Sequence, residues 1–354
     1  MKNTIKYILS LAIAGLFFWL AFKDFSAEDY SRLWLTLKKV NLNWIFLTLV
    51  VQVISNVIRA WRWGILLTTV KPRMKLSNLF NATMIGYAVN MVLPRVGEVT
   101  KAINLAKYEG IDAKKVLASV VIERILDTLV FAVLLATSGF VFRSRISEVF
   151  GEVTLFGLTV SFEAGSYLIL LMSIVLLIFF AAISLYPRQI SKAVETLAEK
   201  VAKKWSKKLS GAVEAFIEGA GALKHPAKYL EIMLSSFVIW AIYLLGTLMP
   251  FYAMGLDQKY GLGLWEAMAT MSISAFGQLI TPAGAGTYQY VCQTVLNRLF
   301  NVALTEASAF ALLTFFIVLF TFGLFGVGSF ALQGYKSRGQ RGINKSVSES
   351  QSVV

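Results

Sequence analysis

The apolar residues of this chain fall in blocks of about 18–25 residues, the length that a helix needs to cross the hydrocarbon core of a membrane. Apolar residues make up 57% of the sequence and charged residues only 15%, whereas about a quarter of the residues of a soluble domain are charged. Lipid offers no partner to an unpaired backbone N–H or C=O group, so a spanning block must form a helix. The sequence therefore predicts an all-α, polytopic α-helical membrane protein.

The blocks divide the chain into full spans and two interrupted regions. We predict about six full spans, at residues 5–22, 44–68, 116–141, 165–186, 229–254 and 305–333. The interrupted regions, 79–115 and 265–304, are broken at Pro94 and at Thr281–Gly286 by residues that disfavour a continuous helix. Residues 1–334 would together form one transmembrane domain.

Two segments outside the spans are polar. Residues 187–228 carry apolar side chains at helical spacing among many lysines, a pattern typical of a basic amphipathic helix on the membrane surface. Residues 335–354 are rich in Ser, Lys, Arg and Gly, and we expect this tail to be disordered because it has little to bury. The net charge of +14 is explained by cytoplasmic loops, so it does not indicate a nucleic-acid partner.

The distribution of basic residues predicts the topology. Lys and Arg outnumber Asp and Glu at the N-terminus, in the tail, and in loops 69–78, 94–115 and 187–228, which places all of these on the cytoplasmic side. Region 79–115 then begins and ends on that side, and region 265–304 begins and ends on the outer side. We therefore predict two re-entrant helical hairpins that enter the membrane from opposite faces.

The two interrupted regions also resemble each other. Ala82-Thr83-Met84 precedes Pro94, and Ala269-Thr270-Met271 precedes Pro282 at nearly the same distance. With the opposite orientations, this similarity predicts an inverted repeat, and paired broken helices of this kind point to a midplane binding site in transporters. The reason is that a break frees backbone groups and presents positive helix N-termini to anions. The alternative is a pair of kinked helices packed in a bundle.

Several charged residues lie inside predicted membrane segments, where burying one costs roughly 2.5–3.5 kcal/mol on insertion scales. They could pair to join helices, or line a polar cavity for a lipid headgroup. We expect a mixture of the two arrangements. Nearest the cavity we place Arg59, Arg62, Arg95 and Glu98. A partly structural role falls to Glu123, Arg124 and Asp127. Neutral hydrogen-bonding groups could come from Asn90, Gln278, Thr281 and Gln289.

The sequence argues against catalytic chemistry and bound metal. Cys292 and His225 are each the single residue of their type, so neither a disulfide nor a cluster of Cys or His metal ligands can form. We predict no catalytic residue, no metal and no cofactor. The sequence also lacks the glycine-rich phosphate loop of an ATPase, so a gradient or a partner would have to drive any transport.

Three motifs carry a family resemblance. The run Asn90-Met-Val-Leu-Pro94-Arg95-Val-Gly97-Glu98 resembles the first signature of the lysylphosphatidylglycerol synthase transmembrane-region family, which is also called flippase-like. Residues 119–127 resemble its second signature, and Thr281–Gln289 resemble its third. The similarity extends over residues 5–333.

In the long members of this family, the membrane region is associated with moving an aminoacylated lipid across the bilayer, whereas the substrates of stand-alone members are mostly unassigned. Long members also carry an aminoacyl-transferase domain, and because this sequence ends at Val354 we expect a stand-alone member without it. Two positions depart from the family pattern. Ala283 replaces a glycine of the third motif, and Gln289 stands where a glutamate is usual. A mechanism that needs a carboxylate at residue 289 is therefore not expected.

Three functions remain open from the sequence. The first is a lipid flippase of the bacterial cytoplasmic membrane, with both termini cytoplasmic and membrane lipids as its partners. The second is a non-catalytic subunit that docks on a separate synthetase or glycosyltransferase. The third is a membrane-embedded enzyme that would use Glu98, Glu123 and Asp127 as acids or bases. The candidate substrate-binding residues are Arg59, Arg62, Asn90, Pro94, Arg95, Gly97, Glu98, Glu123, Arg124, Asp127, Gln278, Thr281, Pro282, Gly284, Gly286 and Gln289.

Overall fold

The structure, a computed structural model, describes residues 2–93, 96–150, 152–155, 158–161 and 226–351, together with the single residues 167, 171 and 175. Several predictions lie outside the described residues. These are most of the span at 165–186, nearly all of the amphipathic segment at 187–228, and the positions of Pro94 and Arg95.

The regular structure of the described residues is helical apart from one short β-hairpin, and the predicted α-helical fold class is confirmed. The hairpin pairs β1 (Glu152–Leu155) with β2 (Leu158–Ser161) in antiparallel register. The helices are α1 (Lys2–Phe22), α2 (Ala27–Lys38), α3 (Leu42–Leu66), α4 (Leu76–Val92), α5 (Val96–Glu109), α6 (Ala113–Val141), α7 (Arg143–Phe150), α8 (Pro226–Met254), α9 (Leu256–Tyr260), α10 (Leu264–Ile280), α11 (Thr287–Thr294) and α12 (Leu304–Gln351).

Three helical segments among the described residues are long and apolar enough to cross a membrane: Leu42–Thr69, Leu230–Met254 and Leu304–Tyr335. Two further segments qualify if a bent helix pair counts as one span. One pair joins α1 to α2 at 97°, and the other joins α6 to α7 at 77°. The described chain therefore has three to five candidate spans, and the number six stays a prediction.

Polar caps begin the helices that the membrane blocks alone did not delimit. Helix α2 starts at a capping box, in which the Asp29 amide donates to Ser26 Oγ (3.2 Å) and the Ser26 amide donates to Asp29 Oδ2 (3.0 Å). Helix α6 starts after Asp112, whose Oδ1 accepts from the Lys114 amide (2.8 Å). Such caps satisfy amides that a helix leaves without partners.

Both interrupted regions form helix–turn–helix hairpins held by close backbone contact. In the first, a Cβ at Gly97 of α5 would overlap the Gly86 carbonyl of α4. In the second, a Cβ at Gly277 of α10 would lie 2.7 Å from the Thr287 carbonyl oxygen of α11. Only glycine permits either approach. The predicted two-fold relation between these hairpins stays a prediction.

A side-chain amide closes each turn. Asn90 Oδ1 accepts a hydrogen bond from the Gly97 amide (2.7 Å), and Gln289 Oε1 accepts one from the Gly286 amide (2.7 Å). The second turn also needs left-handed backbone at Ala283, Gly284 and Gly286, with φ of 52°, 77° and 79°. The Asn90–Gly97 hydrogen bond joins α4 to α5, and the Gln289–Gly286 hydrogen bond caps the start of α11.

Two apolar clusters support the hairpins. One contains Trp63, Leu105 and Val120, and packs α3, α5 and α6 together. The other contains Phe251 and Phe310, and packs α8 against α10, α11 and α12. The site described below lies where the two hairpins meet α6 and α12.

The backbone of α12 is helical as far as Gln351, and the disordered tail expected at residues 335–354 stays a prediction.

Candidate substrate cavity and buried charge network

A cavity of about 310 Å³ lies between the two hairpins, α6 and α12. Its polar wall consists of Tyr87, Asn90, Glu98, Arg124, Gln278, Thr281, Tyr288 and Thr314. Its apolar wall consists of Met91, Leu279, Ala283, Phe315, Val318, Leu319 and Phe322. The same cavity therefore offers charged and hydrogen-bonding groups together with hydrocarbon contact, most of which comes from α12.

The charged residues among the described lining of the cavity, Glu98 and Arg124, form one ion pair. Arg124 Nη2 on α6 lies 3.1 Å from Glu98 Oε1 on α5, and their side chains are 44% and 26% exposed. The second carboxylate oxygen, Glu98 Oε2, has no hydrogen-bond partner in the part of the chain that the structure describes. A partly exposed pair with unused hydrogen-bonding capacity can exchange its partner for a ligand at modest cost.

The apolar wall comes mainly from α12. Phe315, Val318, Leu319 and Phe322 follow the spacing that places side chains on one face of a helix. The Tyr87 and Phe322 rings lie 4.7 Å apart, so this face reaches the first hairpin. The Tyr288 hydroxyl is hydrogen-bonded to Thr314 Oγ1 (2.9 Å), which ties the second hairpin to α12.

A second group of charged residues is buried beside the cavity. We call Arg59, Arg62, Lys101, Glu123 and Asp127 the buried network. Arg59 Nη1 lies 2.6 Å from Asp127 Oδ2 and 3.1 Å from Glu123 Oε1. Arg62 Nη2 lies 2.7 Å from Asp127 Oδ1, and Lys101 Nζ lies 2.7 Å from Glu123 Oε2.

Neutral groups add hydrogen bonds to the two arginines, although Arg62 Nε has no partner among the described residues. Arg59 donates from Nη2 (2.8 Å) and Nε (3.1 Å) to the Tyr243 hydroxyl, and Arg62 Nη1 donates to Ser236 Oγ (2.8 Å). Both partners lie on α8, so the network joins α3, α5, α6 and α8. Buried ion pairs of this kind recover their desolvation cost only when additional hydrogen bonds complete them.

The buried network carries an excess of positive charge. Its three cations, Arg59, Arg62 and Lys101, share two carboxylates, Glu123 and Asp127, which leaves one positive charge. The cavity pair Glu98–Arg124 adds one charge of each sign and does not change the sum. Because Glu98 and Lys101 are one turn apart on α5, the excess charge lies close behind the cavity wall.

The structure separates the predicted site residues into three groups. The residues that line the cavity are Asn90, Glu98, Arg124, Gln278 and Thr281. The residues that belong to the buried network are Arg59, Arg62, Glu123 and Asp127. The residues that lie in or beside the hairpin turns are Gly97, Pro282, Gly284, Gly286 and Gln289.

The expected division of the charges is corrected. Arg59 and Arg62 were expected nearest the cavity, but the described residues that line it do not include them, because two carboxylates on α6 already hold both guanidinium groups. Arg124 was expected to be partly structural, but it faces the cavity. Its neighbour Glu123 points to the other side of α6, toward Lys101.

Sequence reasoning missed several residues of the site. Lys101 was not among the predicted site residues, although it joins the network through Glu123. Nothing local identifies Tyr243 as a partner of Arg59, since 184 positions separate them. The α12 wall did carry a signal, namely aromatic and aliphatic residues at helical spacing, but every apolar span shows that pattern.

The third family motif is a turn in which Gln289 has a structural role. Gln289 is buried and its Oε1 accepts the hydrogen bond of the Gly286 amide, while its Nε2 has no partner among the residues with described positions. Thr287 Oγ1 donates to the Gly277 carbonyl, and Thr281 Oγ1 donates to the Ala285 carbonyl (2.8 Å). An amide oxygen accepts the Gly286 hydrogen bond without placing a charge there.

This fold and site define a class: a multi-pass α-helical membrane protein with an amphipathic cavity between two broken helical hairpins. Residues 7–326 match the family described as the lysylphosphatidylglycerol synthase TM region. The chain belongs to that family, and the resemblance drawn from the three motifs is confirmed.

One relative is a UPF0104 membrane protein of the archaeon Methanocaldococcus jannaschii. It is 28% identical over 134 residues, which cover 37% of this chain and 39% of the relative. The match thus spans about two fifths of that protein's length. No solved structure matches the chain.

Proposed function

We propose that this protein is a lipid flippase that moves an amphipathic lipid with an anionic headgroup, or a lipid-linked substrate, across the membrane. The observation that carries the proposal is the two-sided lining of the cavity. Glu98 and Arg124 form its charged side, and the α12 face from Phe315 to Phe322 forms its apolar side. A lipid presents the same two chemistries at the junction of headgroup and acyl chains.

The size of the cavity favours a headgroup rather than a whole lipid. Ligand pockets have volumes of about 300–1,000 Å³, and this cavity, at about 310 Å³, lies at the lower end. The headgroup would occupy the polar side while the acyl chains remain in the bilayer beside α12. This division avoids moving the hydrocarbon through a polar environment.

The charge near the cavity favours a phosphate. Arg124 offers a guanidinium group, which matches the geometry of phosphate oxygens, and the buried network behind it carries one excess positive charge. An entering phosphate would take Arg124 from Glu98. That carboxylate could then hold an ammonium or hydroxyl group of the same headgroup.

The proposal includes the setting of the protein. The chain would lie in the bacterial cytoplasmic membrane with both termini cytoplasmic, and its basic loops would contact anionic lipid. It would transport lipid and catalyse no chemical step, so the cavity residues are binding residues. Membrane lipids are the partners that the proposal requires.

Lipid translocation in proteoliposomes tests the proposal. The purified protein would be reconstituted with fluorescent anionic, zwitterionic and isoprenoid-phosphate lipids, and movement would be measured by quenching of the outer leaflet. We expect movement of one lipid class, and its loss in the double variant Glu98→Gln/Arg124→Gln.

The matched control is the double variant Glu28→Gln/Arg32→Gln, which removes an exposed ion pair far from the cavity (side chains 82% and 67% exposed). It should move lipid at the wild-type rate. If no lipid class moves while the protein remains folded, the flippase function is refuted. A non-catalytic subunit of a lipid- or glycan-modifying complex then becomes the better explanation.

A further inference from the structure

The excess charge of the buried network can be removed at one residue. Arginine remains protonated at every physiological pH, whereas a buried lysine can lose its proton. Of the three cations described in the network, only Lys101 is a lysine. A charge without a full counter-charge is costly in a medium of low dielectric constant, so the network has a reason to release the Lys101 proton.

The surroundings of Lys101 fit a proton-binding site. Its side chain is only 4% exposed, and Nζ lies 2.7 Å from Glu123 Oε2 and 3.9 Å above the centre of the Trp63 ring. Trp63 is itself fixed, because its Nε1 donates to Ser119 Oγ (2.9 Å). The other charged or titratable side chains around the network are Arg59, Arg62, Tyr87, Glu98, Arg124, Asp127 and Tyr243.

We propose that Lys101 binds and releases one proton in each transport cycle, and so couples movement of the lipid to the proton gradient. This inference rests on the proposed flippase function. The chemical step is Lys101–NH₃⁺ giving Lys101–NH₂ and a proton that is released to bulk water. The charge of the network then falls from one excess positive charge to zero.

The position of Lys101 links this proton to the lipid. Glu98–Arg124 in the cavity and Lys101–Glu123 behind it both join α5 to α6, one helical turn apart. An anionic headgroup on Arg124 stabilises the protonated lysine nearby, and by reciprocity the protonated lysine stabilises the bound headgroup. Proton and anionic lipid therefore bind together and cross in the same direction.

Loss of the proton also weakens the attachment of the first hairpin to α6. Neutral Lys101 keeps at most a weak hydrogen bond to Glu123, whose carboxylate can then turn fully to Arg59 and Arg62, at 3.1 and 3.6 Å. One of the two ionic links between α5 and α6 is lost, while Asp127 still holds both arginines. The wall of the cavity that carries Glu98 can move, and the rest of the network remains fixed.

Fluorescence of Trp63 reports the protonation of Lys101 without any need for lipid movement. The purified chain in nanodiscs would be titrated from about pH 6 to pH 9, a range in which an ordinary lysine, with a pKa near 10.4, does not titrate. Trp63→Phe identifies the Trp63 signal among the eight tryptophans. We expect a transition in the wild type that is lost in Lys101→Arg and Lys101→Met.

Lys107→Met is the matched control, since it removes an exposed lysine from the same helix. It should keep the transition. A wild-type titration without a transition, or a transition that survives in the folded Lys101→Arg variant, overturns the proposal. Lys101→Arg keeps the positive charge, so it also separates protonation from the structural need for a cation.

The coupling is measured in proteoliposomes with an imposed pH difference. One pH unit corresponds to 1.36 kcal/mol, so one proton per lipid would shift the lipid distribution between leaflets up to about tenfold. Lys101→Arg should abolish this shift. If lipid moves but its distribution ignores the gradient, the coupling is refuted and the flippase stands. If no lipid moves, the flippase fails, and the fluorescence titration alone decides the proton site.

Discussion

The buried network and the cavity pair each join α5 to α6 through an ion pair, Lys101–Glu123 and Glu98–Arg124, but the two pairs differ in their access to solvent. Glu123 shares its carboxylate among cations that are at most 4% exposed, whereas Arg124, the next residue, is 44% exposed. The comparison teaches that a charge in a membrane segment is not in itself a binding group. Its availability depends on how many opposite charges already surround it.

The largest expected effect comes from Asp127→Asn, which removes half of the negative charge of the network. Arg59 and Arg62 would remain buried and lose the closer of the two carboxylates that they share. Breaking a buried pair in this way costs about 3–5 kcal/mol. Unfolding in mixed detergent should show this loss of stability. A loss below about 1 kcal/mol, the value typical of exposed pairs, would remove the distinction between network and cavity pair.

Gly97→Ala tests the hairpin that places Glu98. A methyl group there would overlap the Gly86 carbonyl and the Asn90 side chain, and overpacking of this kind costs about 1–3 kcal/mol. Both thermal stability and lipid movement should fall. Gly15→Ala is the control, because nothing lies near its Cβ position. It should be neutral or slightly stabilising, and equal behaviour of the two variants would contradict the close packing of α4 and α5.

Arg124→Gln should have little effect on stability but abolish lipid movement, whereas the main effect of Asp127→Asn is on stability. The ion pair with Glu98 is partly exposed, so its loss should change stability by no more than about 1 kcal/mol. Lipid movement should nevertheless be lost, because the phosphate loses its guanidinium partner. Thermal unfolding and lipid translocation, measured on the same preparation, check the expected stability and the expected loss of lipid movement. A stability loss as large as that of Asp127→Asn would place Arg124 in the structural group.

The smallest effect concerns an ion pair outside the predicted spans. Burial would raise the pKa of Glu109, but hydrogen bonds from Lys71, Asn78 and the Lys75 amide outweigh it and hold that pKa below its ordinary value. A lowered carboxyl pKa stabilises the fold above the ordinary value, and this stabilisation is lost as the pH falls through the lowered pKa. Glu109→Gln should therefore flatten the acid limb of the stability profile. An unchanged acid limb would show that the hydrogen bonds to the Glu109 carboxylate contribute nothing to stability.

The sequence predicted the helical membrane fold and the two broken hairpins because hydrophobic block length, proline and glycine act locally. It also placed charges such as Arg59 and Asp127 inside the membrane. It could not assign them partners, since pairing depends on how α3, α5, α6 and α8 rotate against each other. Arg124 shows the limit most clearly. A rotation of about 100° between successive helical residues separates it from Glu123 and decides which of the two faces the cavity.

The most direct test of a headgroup-binding cavity is to capture the lipid in it. A photoreactive amino acid at Val318, on the cavity wall, would be compared with one at Phe320, two residues away on the exposed side of α12. Mass spectrometry would identify the cross-linked lipids. We predict that position 318 captures one headgroup class and that Arg124→Gln abolishes this capture, while position 320 captures the bulk lipids unselectively. The same lipid pattern at both positions, unaffected by Arg124→Gln, would contradict the account.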